Sequence, residues 1–344
     1  MKEAMLYEKL KDAVKCGTCA RGCTIAENQV GFCRTRKNIK GKLYSLVYGK
    51  LCSVGIDPIE KKPLYMFAPG SHSLSISTVG CAFRCKFCCN FEISQEWKEV
   101  VGEEYSPKAI IDLAIDRNCQ GISYTYTEPS IQTEFFLDSS KVAKQKGLFT
   151  NWVTNGYTSP DAIKEISKYL DAATVDFKGS ANPEFYKKFS LVPKVEPIFD
   201  ALLAYKENKV YIEVTDLIIP KIGDNLEDVK KLCKWILENL GEETPFHILQ
   251  FFPTYKLLDL PRTPVEILEK AYEIAKKEGL KYVYLGNVGH KLENTYCPNC
   301  GNLVIERTIL GVTRFLLKKD LKCSKCGNKI PILGVKWIPK NLWK

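Results

Sequence analysis

The stretch with the clearest chemical potential is Gly80-Cys81-Ala82-Phe83-Arg84-Cys85-Lys86-Phe87-Cys88-Cys89-Asn90. It sets three cysteines at C-x3-C-x2-C, just after a strand-like run over 74–79. Thiolates are the ligands of iron–sulfur clusters, and a full set is normally four. One tight loop at this spacing wraps a cubane and reaches three of its irons. The fourth iron is then open to a substrate or cofactor. Cys89 could supply a fourth sulfur, but adjacent residues rarely aim both side chains at one small cluster, so it is set aside. A zinc knuckle would use paired C-x2-C units and a closed set of four ligands, which this loop alone lacks.

Two further cysteine groups flank this one. Cys16, Cys19, Cys23 and Cys33 are spaced C-x2-C-x3-C-x9-C, with Gly17, Gly22 and Gly31 permitting tight turns. Four ligands form a closed set, so a structural zinc site and an auxiliary iron–sulfur cluster both fit. Cys297-Pro298-Asn299-Cys300-Gly301 and Cys323-Ser324-Lys325-Cys326-Gly327 are two C-x2-C-G knuckles, separated by 22 residues of β-like sequence. They make a zinc-ribbon or rubredoxin-like signal, with zinc preferred for a structural role. Cys52, Cys119 and Cys233 are scattered and read as small buried apolar residues. Grouped C-x2-C spacing without a secretory signal points to metal ligation rather than disulfides, and to a cytoplasmic location.

Positioning such loops requires a scaffold, and the chain supplies a strand–helix alternation. Apolar β-type runs fall at 74–79, 121–127, 148–154, 172–177, 209–219, 246–252 and 281–286. Amphipathic helical segments fall near 107–117, 130–146, 160–169, 197–207, 225–239 and 264–278. This pattern predicts parallel βαβ units and an α/β fold: a partial or near-complete (β/α) barrel with small cysteine-rich metal-binding segments at both ends. The expected division is 1–40 (first cysteine group), 41–73 (a β-hairpin of 43–48 with 51–56, then a loop), 74–290 (barrel) and 291–344 (ribbon). A short helix is expected over 3–14.

In barrels, functional groups gather at the C-terminal ends of strands. The cysteine loop lies at the end of the first strand. The second strand ends at Glu128-Pro129, where a carboxylate can accept from an ammonium group. The third ends at Asn155-Gly156, with Asn155 facing the mouth. The fourth carries Asp176 and Lys178 at period two, hence on one side; a charged pair in an apolar strand is costly unless paired or functional. The fifth carries Glu213, Thr215 and Asp216. The sixth carries His247, read as a satisfied core or rim histidine, and Gln250.

With these residues in view, C-x3-C-x-(aromatic)-C resembles the signature of the radical S-adenosylmethionine (SAM) superfamily. Asp57-Pro58-Ile59-Glu60-Lys61-Lys62-Pro63-Leu64, Tyr126-Thr127-Glu128-Pro129, Thr154-Asn155-Gly156, Asp176-Phe177-Lys178 and Gly286-Asn287-Val288 resemble one group within it. That group is the AmmeMemoRadiSam-system radical SAM enzymes, often labelled pyruvate formate-lyase activating enzyme homologues. The resemblance implies a [4Fe–4S] cluster on Cys81, Cys85 and Cys88 whose open iron chelates SAM. It further implies one-electron cleavage of SAM to methionine and a 5′-deoxyadenosyl radical, which abstracts hydrogen from a substrate. Phe87 matches the aromatic near the adenine, Glu128 the residue that holds the SAM amino group, and Asn155, Asp176 and Lys178 further SAM contacts. A low-potential donor such as ferredoxin or flavodoxin is implied, and a glycyl-radical enzyme is one possible protein substrate. The chain departs from the group at Cys88-Cys89-Asn90, where Cys-Gln-Asn is usual. It departs again at Gln250-Phe251-Phe252-Pro253, where Arg-Phe-His-Pro is usual.

The remaining totals are ordinary. The chain has 344 residues, 45% hydrophobic and 26% charged, with a formal net charge of +10. No run is long enough for a membrane span and no signal peptide opens the chain. The basic excess suits an acidic electron donor or a nucleic acid, or a lysine-rich surface. An alternative function follows from it: a metal-binding, nucleic-acid-associated protein, or a radical enzyme that modifies RNA. No aromatic–basic recognition motif supports that alternative.

Overall fold

The computed structural model describes residues 1–308 and 311–343; residues 309, 310 and 344 of the expected ribbon segment lie outside the described residues. An eight-stranded sheet dominates it. The strands are β1 (Ser53–Pro58), β2 (His72–Ser77), β3 (Gly121–Tyr124), β4 (Phe149–Thr154), β5 (Ala172–Lys178), β6 (Tyr211–Ile218), β7 (Phe246–Gln250) and β8 (Val283–Gly286). They lie side by side in chain order. β1 pairs antiparallel with β2, and every later pairing is parallel. β1 and β8 form the two edges, so the barrel is not closed.

Each parallel step after β2 is made through a helix: α1 (Pro107–Asp116), α2 (Thr133–Gln145), α3 (Pro160–Ile166), α4 (Glu196–Glu207), α5 (Leu226–Asn239) and α6 (Val265–Glu278). Local chemistry sets several starts. Ser106 and Ser159 cap α1 and α3 with side-chain oxygens, each followed by proline at the first helical position, where its missing N–H costs nothing. Asn225 caps α5. Gly279 ends α6 at φ 113°, a conformation that favours glycine. Ile122, Trp152, Val175, Val214, Ile248 and Leu285 of successive strands are buried with Ile111, Ile163, Leu202 and Ile236 of the helices in one core. The inner face of the sheet is polar instead. Ser73 Oγ meets Ser123 Oγ at 2.6 Å, Ser123 donates to Asn151 at 2.7 Å, and Ser77 Oγ meets Thr127 Oγ1 at 2.8 Å.

The first fifty residues differ from expectation. Residues 3–14 form no helix: Tyr7–Lys9, Ala13–Cys16 and Thr24–Ala26 make a three-stranded antiparallel sheet. Alternation explains it, because Val14 and Cys16 are buried while Lys15 is exposed. Nor do 43–48 and 51–56 pair with each other. Lys42–Ser45 pairs with Arg36–Ile39 and Lys2–Glu3, and β1 pairs with β2. Gly49 does turn the chain, at φ 72°, but it packs against Tyr105, whose carbonyl would lie 2.7 Å from an added Cβ. The turn therefore sends the chain towards the sheet, not back on itself.

At the other end, Thr295–Tyr296, Leu303–Thr308 and Gly311–Phe315 form a small antiparallel sheet. Arg307 ties it to the barrel: Nη2 donates to the Tyr65 carbonyl at 2.7 Å, and the guanidinium stacks 4.5 Å from the Tyr65 ring. Beside that contact, Glu213 accepts from the Tyr65 and Met66 amides at 2.9 and 2.8 Å and meets His247 Nε2 at 2.6 Å. Both side chains are buried. Glu213 and His247 thus close the floor of the sheet, far from its C-terminal mouth.

Candidate active site

The 81–88 loop leaves β2 and is fastened on several sides. Arg84 N–H donates to the Ser190 carbonyl at 3.0 Å and Lys86 N–H to the Phe189 carbonyl at 2.8 Å. Gln95 Nε2 donates to the Cys85 carbonyl at 2.9 Å, and Arg84 Nη1 to the Cys81 carbonyl at 2.8 Å. The Phe83 amide points at Cys81 Sγ, 3.3 Å away. Cys85 Sγ lies 3.4 Å from the Ser190 hydroxyl and Cys88 Sγ 3.3 Å from that of Ser94. Burial pushes the Cys85 thiol up to about 12 and Cys81 well above its ordinary value. Thiols in such surroundings ionise only when a metal takes them.

Cys81, Cys85 and Cys88 line one cavity of about 500 Å³ at the C-terminal ends of the strands, together with Glu128, Asn155, Asp176 and Lys178. The ends of four consecutive strands, β2 to β5, thus contribute to it, and Asn287 adds the end of β8. Two residues of the loop are not among the cavity's lining. Phe87 is buried against Phe185, with ring centroids 5.6 Å apart, and the aromatic that lines the cavity is Phe83. Cys89 is exposed and is not part of the cavity lining.

Glu128 acts as a strap. Oε1 accepts from the Ser130 amide at 3.1 Å and the Thr154 hydroxyl at 2.8 Å, while Oε2 accepts from the Asn155 amide at 2.9 Å. Burial raises its pKa, partly opposed by those donors. A carboxylate has about four acceptor positions, so one remains for the cavity. Asn155 is thereby aimed at the cluster loop, its Nδ2 standing 3.7 Å from Cys81 Sγ. Asp176 accepts from the Thr215 hydroxyl on the neighbouring strand, its partner in register. Its other oxygen lies 3.1 Å from Lys178 Nζ. Burial works against the Lys178 charge, but the adjacent Asp176 outweighs it, and the Lys178 pKa is raised.

The cavity also has a wall that site-by-site sequence reading missed. Asp57 Oδ2 accepts from Lys62 Nζ at 2.7 Å and Tyr126 OH at 2.6 Å, and Lys61 Nζ lies 3.3 Å from Oδ1. Burial disfavours the Asp57 charge, yet Lys62 and Tyr126 hold its pKa below the ordinary range. The available signal was the charge density of the proline-bounded 57–64 loop. Asn90 adds a clamp by donating to the Tyr126 carbonyl at 2.7 Å, which holds Tyr126 at φ 65°.

Residues 75–236 match the family model described as the Radical SAM superfamily. The chain belongs to the radical SAM superfamily. Its relatives include an uncharacterized protein of Methanocaldococcus jannaschii, 47% identical over 97% of this chain and 100% of that one. The pyruvate formate-lyase-activating enzyme of Clostridium pasteurianum is 28% identical over 56% of this chain and 82% of that one. The crystal structure of a radical SAM methyltransferase from Sphaerobacter thermophilus superposes with a TM-score of 0.50 at 13% identity, covering 68% of this chain and 74% of that one. It supports the open α/β architecture alone.

Radical SAM membership implies a [4Fe–4S] cluster and SAM, and the loop fits the cluster on spacing. Among the described residues, one group of metal-ligating side chains has its ligand atoms all within 4.8 Å of one another: Cys297, Cys300, Cys323 and Cys326. A single tetrahedral ion at an M–S distance of about 2.3 Å needs sulfurs about 3.8 Å apart. The ribbon pairs meet this, with Cys297–Cys326 at 3.5 Å and Cys300–Cys323 at 3.7 Å. Cys81, Cys85 and Cys88 do not form so compact a group. Cys16, Cys19, Cys23 and Cys33 line a separate small pocket beneath the loop. No helix among the described residues is long and apolar enough to cross a membrane.

Proposed function

We propose that the protein is a hydrogen-abstracting radical SAM enzyme working on a macromolecular substrate, most simply as an activator of a glycyl-radical enzyme. When bound, the reduced cluster supplies one electron to SAM and yields methionine and a 5′-deoxyadenosyl radical. The carrying observation is the cavity that joins Cys81, Cys85 and Cys88, with no fourth sulfur, to Glu128, Asn155, Asp176 and Lys178. In this reading the three thiolates hold three irons. The free acceptor position on Glu128 takes the SAM ammonium, the Lys178 ammonium faces the carboxylate, and Asn155 holds the substrate side of the loop in register. Asp176 keeps Lys178 charged and correctly aimed. The Asp57–Lys62–Tyr126 wall excludes water, which protects a reactive radical from side reactions.

The name of the Clostridium pasteurianum relative supports the glycyl-radical reading, in which the donated hydrogen comes from a glycine Cα. A ferredoxin or flavodoxin in the cytoplasm supplies the electron, and zinc fills the ribbon quartet. The division into 1–40, 41–73, 74–290 and 291–344 is retained as the working domain scheme. The test uses anaerobically reconstituted protein, SAM, reductant and a fractionated deuterium-labelled cell extract, following deuterium into 5′-deoxyadenosine by mass spectrometry. Label from a protease-sensitive fraction supports the proposal. Label from small molecules alone, or from a nuclease-sensitive fraction as RNA modification would give, refutes the protein-activating part.

A further inference from the structure

We propose that Cys16, Cys19, Cys23 and Cys33 hold a second iron–sulfur cluster rather than zinc, and that this cluster is the port through which the electron reaches the 81–88 loop. Occupancy of the quartet stands on its own geometry; the port role rests on the radical SAM reading above.

The first argument is size. The ribbon shows how this chain arranges thiols for one ion, with all four sulfurs within 4.8 Å. The N-terminal quartet does not pack that way: no three of its sulfurs meet the same limit, although all four face one pocket. A tetrahedral zinc needs the compact arrangement, whereas an iron–sulfur core separates its thiolates by its own bulk. The second argument is the surroundings of the sulfurs. Ile25, Phe32 and Ala82 give the pocket an apolar lining, and the Thr18 and Thr35 hydroxyls lie 3.6 and 3.2 Å from Cys16 and Cys33 Sγ. Burial and hydrogen bonds to sulfur are the levers that tune a cluster's potential.

The third argument is position. Ala82, which follows the cluster ligand Cys81, lines the quartet's pocket. Gly80, which precedes it, approaches so closely that an added Cβ would stand 3.0 Å from the Cys33 carbonyl oxygen and 2.5 Å from Thr35 Cγ2. Arg21, inside the quartet, donates Nε to the Ala82 carbonyl at 2.5 Å. Arg84, inside the loop, donates Nη2 to the Phe32 carbonyl at 2.5 Å and Nη1 to that of Cys81 at 2.8 Å. Both guanidiniums lie on the Phe32 ring, at 3.5 and 4.4 Å. Two positive charges therefore stand between the thiolate sets, where they offset the repulsion between neighbouring anionic clusters.

The electron balance is simple. One electron enters the quartet's cluster from a low-potential one-electron donor of the ferredoxin or flavodoxin class. It leaves for the 81–88 cluster, and the quartet's cluster returns to its oxidised state with no atom transferred.

The test begins with metal analysis and electron paramagnetic resonance of the full chain carrying Cys81→Ala, Cys85→Ala and Cys88→Ala, purified anaerobically. The expected result is about four irons and about one zinc per chain, with a reduced-cluster signal that SAM does not alter. Absence of iron with about two zincs overturns the assignment. Should that variant not fold, the wild type decides: about eight irons with one zinc supports the second cluster, and about four with two zincs overturns it. A wild type with eight irons that never cleaves SAM would sink the radical SAM reading and leave the second cluster standing. The port role is read in Cys19→Ala/Cys23→Ala as the ratio of SAM cleavage driven by reduced flavodoxin to that driven by dithionite. That ratio should fall by about tenfold or more, a difference of about 1.4 kcal/mol. An unchanged ratio overturns the port.

Discussion

The Glu128 carboxylate accepts the Asn155 backbone amide at 2.9 Å, so a residue at the end of β3 dictates where the loop after β4 points. Glutamine at 128 keeps one acceptor and turns an amide NH2 towards donors that are already buried. A buried donor left unsatisfied costs about 1–3 kcal/mol. Glu128→Gln should therefore weaken SAM binding by about tenfold or more and lower thermal stability. Equilibrium dialysis with SAM and a melting curve measure both.

Cys85 and Cys89 should separate cleanly. Cys85→Ala removes a cavity-lining thiol and should abolish SAM cleavage and the SAM-sensitive cluster signal. Cys89 is exposed and outside the cavity lining, and Cys89→Ala should retain cleavage within about twofold. Cleavage retained by the Cys85 variant would refute the ligand assignment.

Arg36 and Glu134 form an ion pair at 2.6 Å with side-chain exposures of 2% and 1%. Glu134 also accepts the Met5 amide at 3.1 Å, so the pair fastens the N-terminal sheets to α2. Glu134→Ala leaves a guanidinium buried without its counter-charge, at a cost of about 3–5 kcal/mol. Hydrogen exchange should show the first forty-five residues opening before the barrel does.

Asp216 is fully buried, accepting from the Ser180 amide at 2.9 Å and hydroxyl at 2.6 Å. Burial raises its pKa to about 6, against about 3.9 in the unfolded chain. The folded state binds the proton more tightly, so Asp216 favours folding most at low pH. That contribution is lost as pH rises from about 4 to about 6, a change of about 3 kcal/mol. The stability difference between wild type and Asp216→Asn, measured by urea unfolding, should shift against the wild type over that interval. A flat difference would contradict the shift.

Much of the barrel was legible because its strands are short apolar runs bounded by turn residues and its helices carry clear caps, such as Ser106-Pro107 and Ser159-Pro160. The cavity was legible as far as residues sit at strand ends: Glu128, Asn155, Asp176 and Lys178 were found by that rule. Phe87 came from the family resemblance and not from that rule; it packs on Phe185, while Phe83 lines the cavity. Asp57 closes β1 and Lys62 follows it, both before the first parallel strand; the antiparallel register sets Asp57 beside Ser73 at the start of β2, and only the folded structure shows Tyr126 reaching it from the end of β3. The N-terminal strands were hidden for a related reason. Runs such as Tyr7–Lys9 are too short to show a period, and their pairing partners are distant in sequence.

Arg307 reaches Tyr65 on one side of the floor, and Glu213 holds the Tyr65 and Met66 amides on the other. The C-terminal ribbon is thus welded to the scaffold at the end opposite the cavity. Those bonds anchor it away from the cavity mouth. Stripping its metal should accordingly register as a lowered melting temperature of the whole chain in a single transition, and not as a separate early event.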